Sequence, residues 1–224
     1  MAWMKKGIFI AFVVVLGGYV LLCLGLYEWG LHGRPDAYRT PPPVLPAALV
    51  EQVAAMEGLG HQPMARLDPI TLLPRWLLKA RSHERRSNWP GTLATVSRLR
   101  GPHQGDQTRG ARRHLTEVAD AIYVSRHWTR EQVLSALANA AYYGRDAHGL
   151  EAAAQAWYGL PLAQLRPEEI TAMWALQWAP SSVDPFCQRD RFEKRYATLA
   201  KRVRGVDPAD VPSAIARMSA SSCR

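Results

Sequence analysis

The sequence is short of the residues that most often announce a function. Of its 224 residues only three are cysteine, seven are histidine and nineteen are acidic. Three cysteines are too few for a disulfide framework. Cys23 falls in an apolar run, and Cys187 and Cys223 form either one bridge or two free thiols in an oxidising compartment. The histidines show no metal-ligand spacing, so no zinc site is expected. There is no Gly-rich phosphate loop, no internal repeat and no alternating apolar–polar run of useful length. The last absence leaves a mainly α fold. The deficit of acids against 28 Lys+Arg gives a net charge of +9, which favours anionic headgroups, pyrophosphate groups or acidic polymers as partners.

One stretch lacks charge altogether. Gly7 to Tyr27 is apolar throughout, and about 21 helical residues at ~1.5 Å each span a hydrocarbon core of roughly 30 Å. A helix is the single segment that satisfies its own backbone hydrogen bonds there. Lys5 and Lys6 flank its start and Glu28 its end, so the positive-inside bias places the N-terminus in the cytoplasm and the rest outside. A cleaved signal peptide would have a shorter apolar region and a small-x-small site, which Cys23 to Tyr27 does not supply. An uncleaved single-pass anchor is the expectation, and that topology removes nucleic acid from the partners of a basic chain. The expected organisation is a cytoplasmic tail (1–6), a transmembrane helix (7–27), a linker (28–46), a helical domain (47–204) and a C-terminal tail (205–224).

The linker rests on the three consecutive prolines after Thr40, which stiffen an extended spacer. Beyond it, Leu49, Val53 and Met56 share a helical face. The stretch 69–81 is amphipathic and basic, fitting either a membrane interface or an ordinary surface helix. Residues 82–91 and 101–110 read as polar loops. A helix is expected over 112–126 with Leu115, Val118, Ala119 and Ile122 inward. Thr129 and Gln132 form a capping-box signature for a helix running to Tyr143 and stopping at Gly144. A further helix covers 150–157. Pro167 with Glu168 and Glu169 opens one that ends near Trp178 before Pro180, and a last basic helix runs from Asp190 to Val203.

Several motifs then fall in order. Ala138-Asn139-Ala140-Ala141-Tyr142-Tyr143-Gly144, Gly149-Leu150-Glu151-Ala152-Ala153 and Ala156-Trp157-Tyr158-Gly159 resemble the run YLN-x-x-Y-F-G, G-I-x-x-A-A and Y-F-G-K of family 51 glycosyltransferases, the peptidoglycan polymerases. Leu165 to Glu169 is similar to the family's L-S-x-x-E segment, Ala179 to Pro185 to its P-x-x-Y-N-P turn, and Arg195 falls at its helix arginine. Upstream, Glu57 and Asp68 have the separation of the ends of E-D-x-x-F-x-x-H-x-G-x-D. Arg113 to Glu117 stands where R-K-x-x-E belongs, and Trp89 to Arg98 fills the G-G-S-T-I-T-Q-Q slot with Thr92 as its threonine. The resemblance runs from about Leu45 to Val203. It implies a lysozyme-like helical glycosyltransferase domain behind the transmembrane helix, with lipid II or a glycan strand as partner. The implied location is the bacterial inner membrane, domain on the periplasmic side.

The same resemblance assigns roles. Glu57 becomes the general base that takes a proton from the 4-hydroxyl of the incoming disaccharide, a task suited to a carboxylate raised in pKa by burial. Glu117 is the second catalytic carboxylate, holding an arginine or metal nearby, and Thr92, Arg98, Arg100, Arg113 and His114 bind substrate, the arginines stabilising the pyrophosphate leaving group. No motif binds a cofactor, though a magnesium or manganese ion accompanying the pyrophosphate fits the chemistry. No Ser-x-x-Lys motif is present, so no penicillin-binding second activity is expected. The chain also departs from the family: Gly58, His61 and Met64 stand at its Asp, Phe and His, His114 at a Lys, Ser135 at a Glu, and the Gln-Gln pair is gone. The alternative is therefore a catalytically inactive relative that binds glycan, lipid precursor or a protein within a cell-envelope assembly. His61, four residues after Glu57, either shares its proton or is incidental. Asn139 is expected to be a structural hydrogen-bonder, and Trp157, Trp174 and Trp178 are expected in the core.

Overall fold

A computed structural model describes residues 2–32, 39–72, 88–100, 111–177 and 179–220. It is mainly α, as the sequence requires, with no strand among the described residues. The helices are α1 (Ala2–Leu31), α2 (Ala47–Met56), α3 (Trp89–Arg100), α4 (Ala111–His127), α5 (Arg130–Ala140), α6 (Leu150–Tyr158), α7 (Pro167–Leu176), α8 (Arg189–Ala200) and a short α9 (Val211–Ile215). They fall into two compact units, one of Met1–Thr40 with Met64–Trp128, the other of Pro41–Pro63 with Thr129–Arg224. The expectations for 73–87 and 101–110, and those for Trp178 and Cys223, lie outside the described residues. Cys187 is disulfide-bonded and Cys23 is a free thiol.

In the first unit, Ile8–Leu31 is long and apolar enough to cross a membrane, with a mean hydropathy of 2.7. The helix continues four residues past the expected end at Tyr27. Its end packs on α4: a Cβ on Gly30 would lie 2.6 Å from Cβ of Ala119 and 3.1 Å from the Leu115 carbonyl oxygen, and the Arg112 guanidinium stands 6.0 Å over the Trp29 ring. Backbone approach of this kind requires glycine. Gly30→Leu is expected to push α1 off α4 at a cost of about 1–3 kcal/mol, read as a lower unfolding temperature in nanodiscs; an unchanged temperature would contradict the close packing. Of the face proposed for α4, Ala119 and Ile122 are buried, but Val118 is 42% exposed, and Ala121 and Val124 are buried instead. Ser125 anchors the chain after the linker, accepting from the Leu67 N–H at 2.9 Å.

Helix α3 corrects the expected loop. Trp89, Pro90 and Gly91 read as breakers, yet they form its first turn. A proline in a first turn loses no helical hydrogen bond, and Trp89 is fully buried.

In the second unit, α5 starts as expected. The Thr129 side chain accepts from the Gln132 N–H at 3.3 Å, and the Gln132 side chain accepts from the Thr129 N–H at 2.8 Å. It ends at Ala140 rather than Tyr143, because residues 141–149 fold into their own loop. The Gly149 N–H donates to the Ala141 carbonyl at 2.8 Å and the Tyr143 N–H to the Ala147 carbonyl at 2.9 Å. Gly149 lies at φ +85°, where a Cβ would meet the Asn139 carbonyl oxygen at 2.8 Å. Asn139 itself is exposed rather than inside a helix pair. Gly159 at φ +66° stops α6. Helix α7 opens on Pro167 and buries nearly its whole surface, Trp174 included.

The segment after 204, read as a tail, is packed. Val206, Val211, Ala214, Ile215 and Met218 are buried. Tyr158 Oη donates to the Ala214 carbonyl at 2.7 Å, Arg145 Nη2 to the Ser219 carbonyl at 2.7 Å, and Arg166 Nη2 to the Ser213 carbonyl at 3.1 Å.

Candidate functional site

The second unit builds a site around Glu57. Helix α2 buries Leu49, Val50, Val53, Ala54 and Met56, and Glu57 is its C-terminal cap, its N–H bonded to the Val53 carbonyl at 3.0 Å. Gly58 and Gly60, at φ +70° and +50°, turn the chain away immediately afterwards. This leaves the Glu57 carboxylate half-buried against α7, where the Trp174 indole Nε1–H donates to its Oε1 at 3.2 Å. The helices are pinned one turn earlier: Gln52 Nε2 donates to the Pro167 carbonyl at 2.6 Å and to Thr171 Oγ1 at 3.1 Å.

Electrostatics at Glu57 run in opposing directions. Burial pushes its pKa above the ordinary glutamate value, and the Trp174 hydrogen bond and the charges of Arg202 and Arg195 partly restrain the rise. Arg195 is held below the usual arginine range by burial, with Glu57 opposing that shift. Burial, reinforced by the Glu57 charge, raises the Tyr143 hydroxyl well up. Arg202 Nη1 donates to the Met56 carbonyl at 2.8 Å and Arg195 Nη2 to the Gln177 carbonyl at 2.7 Å. A carboxylate with a raised pKa, a fixed hydrogen-bond donor and nearby guanidinium charge has the properties of a general base.

His61 does not share this proton. It is almost fully exposed, its Nδ1 3.7 Å from Glu51 Oε2, and Glu51 is gripped by Arg130 at 2.6 and 3.2 Å. Arg130 also donates to the Gly60 carbonyl at 2.7 Å, tying down the turn after Glu57. Sequence reasoning missed Arg130, Arg202 and the second role of Trp174. Trp157 and Trp174 are core residues as expected, each 2% exposed, but no periodicity reveals that one indole N–H ends on a carboxylate.

The first unit gathers a different set. Along α4, Arg113 Nε meets Glu117 Oε1 at 3.0 Å and His114 Nδ1 lies 3.8 Å from Glu117 Oε2, as i,i+4 and i,i+3 spacing dictates. Glu117 is mostly covered and Arg113 is exposed, so the helix offers a guanidinium to solvent with its own counter-ion behind it. Arg98 is exposed on α3; Arg100 closes that helix and its side chain lies outside the described residues. Thr92 is buried, with Oγ1 donating to the Asn88 carbonyl at 3.2 Å. Asp68 caps a turn through the N–H groups of Ile70 and Thr71 at 2.9 and 3.2 Å, and faces Arg126 at 3.4 Å. Glu117 is engaged by Arg113, and among the described residues no three acidic, histidine or cysteine side chains converge.

Comparison with known proteins places part of this chain. Residues 95–204 match the family described as Transglycosylase. The match takes in Arg98, Arg100, Arg113, His114 and Glu117; Glu57 and Thr92 lie before it. The chain is similar to penicillin-binding protein 1A of Pseudomonas aeruginosa, 32% identical over 95 residues, which is 42% of this chain and 12% of the relative. It is 37% identical over 76 residues to penicillin-binding protein 1A of Mycobacterium tuberculosis, covering 34% of this chain and 9% of that one. With the Escherichia coli protein of the same name it shares 32% over 91 residues, 41% and 11% of the respective lengths. The chain thus spans about an eighth or less of these relatives.

Proposed function

Because the chain is a divergent member of the transglycosylase family, the family 51 glycosyltransferases, through residues 95–204, we propose that it polymerises lipid II into glycan strands with Glu57 as general base. The observation that carries this reading is the desolvated Glu57 carboxylate at the end of α2, raised in pKa and fixed by the Trp174 indole. In the reaction the carboxylate accepts the proton of the sugar 4-hydroxyl. The hydroxyl oxygen bonds to C1 of the growing chain, and the C1–oxygen bond to the lipid pyrophosphate breaks, its electron pair leaving with the phosphate. The leaving charge requires cations. Arg113, backed by Glu117, supplies one in bidentate-capable form, Arg98 and Arg100 add to it, and His114 is a further substrate contact. Thr92 shapes α3 through Asn88 rather than donating to substrate. The apolar α1 anchors the enzyme in the bacterial inner membrane with the chain after it on the periplasmic side, where the lipid substrate is presented.

A second reading has its own observation. Glu117, Thr92 and Asp68 are all engaged within the first unit, which suits a component that binds glycan, lipid precursor or an envelope-assembly protein without turning over. Full-length protein in detergent, given fluorescent lipid II, separates the two. Glycan ladders on a gel support the polymerase, while lipid II retained and unconverted replaces it with the binding component.

A further inference from the structure

We infer that Trp174 and Arg202 are positioning residues for Glu57, the indole N–H fixing one carboxylate oxygen and the guanidinium fixing the backbone one residue earlier. The inference rests on the reading of Glu57 as base and specifies what aims it. Met56 supplies one of the last carbonyls of α2, a group with no partner inside the helix. Arg202 takes it at 2.8 Å from just beyond the end of α8. Trp174 reaches Oε1 at 3.2 Å from the last turn of α7. The two arms come from different helices, and α8 is itself seated in the unit through Phe192, Tyr196, Leu199 and Ala200. Carboxylate and helix end are therefore held by separate donors, and neither can rotate without breaking a bond.

A purely structural role does not call for this chemistry. Packing Trp174 in the core needs its rings alone, and a buried carboxylate beside it costs desolvation that an apolar side chain would not. Holding a general base within hydrogen-bond reach of one proton does need it, since small misplacements of a catalytic group lose rate steeply.

The test reads Glu57 through its donor. In full-length protein labelled with ¹⁵N-tryptophan, the Trp174 indole resonance is followed against pH, and its assignment comes from Trp174→Phe. Among the described residues, the charged and titrating groups facing Glu57 include Arg195, Arg202 and Tyr143. Burial raises the Tyr143 hydroxyl well up, so the titration expected at the indole is that of Glu57, absent in Glu57→Gln. Arg202→Met is expected to move its midpoint to higher pH, because a cation favouring the carboxylate is gone, and Arg202→Lys to restore part of the shift. In polymerisation, Arg202→Met and Trp174→Phe should each lower kcat about tenfold with KM unchanged, the size expected for one lost hydrogen bond to a charged group. Arg202 is exposed, so its variants keep the test open if Trp174→Phe does not fold. An indole resonance that does not titrate, or Arg202→Met with unaltered midpoint and kcat, overturns the inference. A wild-type protein that makes no glycan while the indole titrates as described retains the positioning and removes the base reading alone.

Discussion

Glu57→Gln is expected to lower the rate of glycan formation by about 10²–10⁴-fold, the usual worth of a positioned general base, while leaving the fold intact and slightly more stable at neutral pH. Glutamine keeps an oxygen to accept from the Trp174 indole, so the geometry at the end of α2 survives. What disappears is the group that takes the proton. The stability sign follows from linkage. Burial raises the folded-state pKa of Glu57, so the folded protein binds this proton more tightly than the unfolded chain does. The associated stability is present below the unfolded glutamate pKa and lost as pH rises through the folded value. Removing the carboxylate removes that loss. Thermal unfolding at neutral and at acidic pH checks it: the gain in Tm should be seen at the first and vanish at the second. A variant that is inactive because it is unfolded would fail this check.

Glu169→Ala should produce the largest loss of stability. Glu169 is wholly buried in the first turn of α7. One oxygen accepts from the Arg166 backbone N–H at 2.8 Å, and the other faces Arg166 Nη2 at 3.1 Å and Arg217 Nη1 at 3.3 Å. The same Arg166 holds the Ser213 carbonyl, so Glu169 joins the start of α7 to the C-terminal segment. Breaking a buried pair from one side costs about 3–5 kcal/mol, but both arginines are partly in solvent, which brings the expectation down to about 2–3 kcal/mol. That corresponds to a Tm lower by roughly 5–10 °C. Glu169→Gln, which keeps the backbone acceptor and loses the charge, should fall between. Equal stability of Glu169→Ala and wild type would show that the C-terminal segment is held by its apolar side chains alone.

Local rules carried the sequence a long way. The reciprocal Thr129–Gln132 cap, the buried stripe of Leu49, Val53 and Met56, the stop at Gly159 and the start at Pro167 are all short-range chemistry. Each was readable because the residues that decide it lie within one or two turns. The errors were tertiary overrides. Trp89-Pro90-Gly91 looks like a loop until the burial of Trp89 outweighs the glycine. Tyr143 looks helical until the loop from Ala141 to Gly149 bonds to itself. Residues after 204 lack a long amphipathic pattern, yet Tyr158, Arg145 and Arg166 supply partners from far back in the chain.

The candidate site was legible in the same measure. The separation of Glu57 from Asp68, together with the downstream motifs, points to Glu57, while Asp68 itself caps a turn. What supports Glu57 as a base is contact with Trp174, 117 residues away, and Arg202 on Met56, 146 residues away; no local spacing encodes either. The Arg113–Glu117 pair, by contrast, followed directly from four-residue spacing on one helix.

The pH dependence of polymerisation by the wild-type protein tests most directly whether Glu57 acts as a base from a desolvated carboxylate. A general base works only when ionised, so the rate should rise with pH through the Glu57 pKa. Since burial moves that pKa upward, the acid limb should lie above the range of an ordinary glutamate, about 4.3, and should be missing from the residual activity of Glu57→Gln. A limb at the ordinary glutamate value, or one of the same shape in the variant, would contradict the assignment of Glu57 as the base.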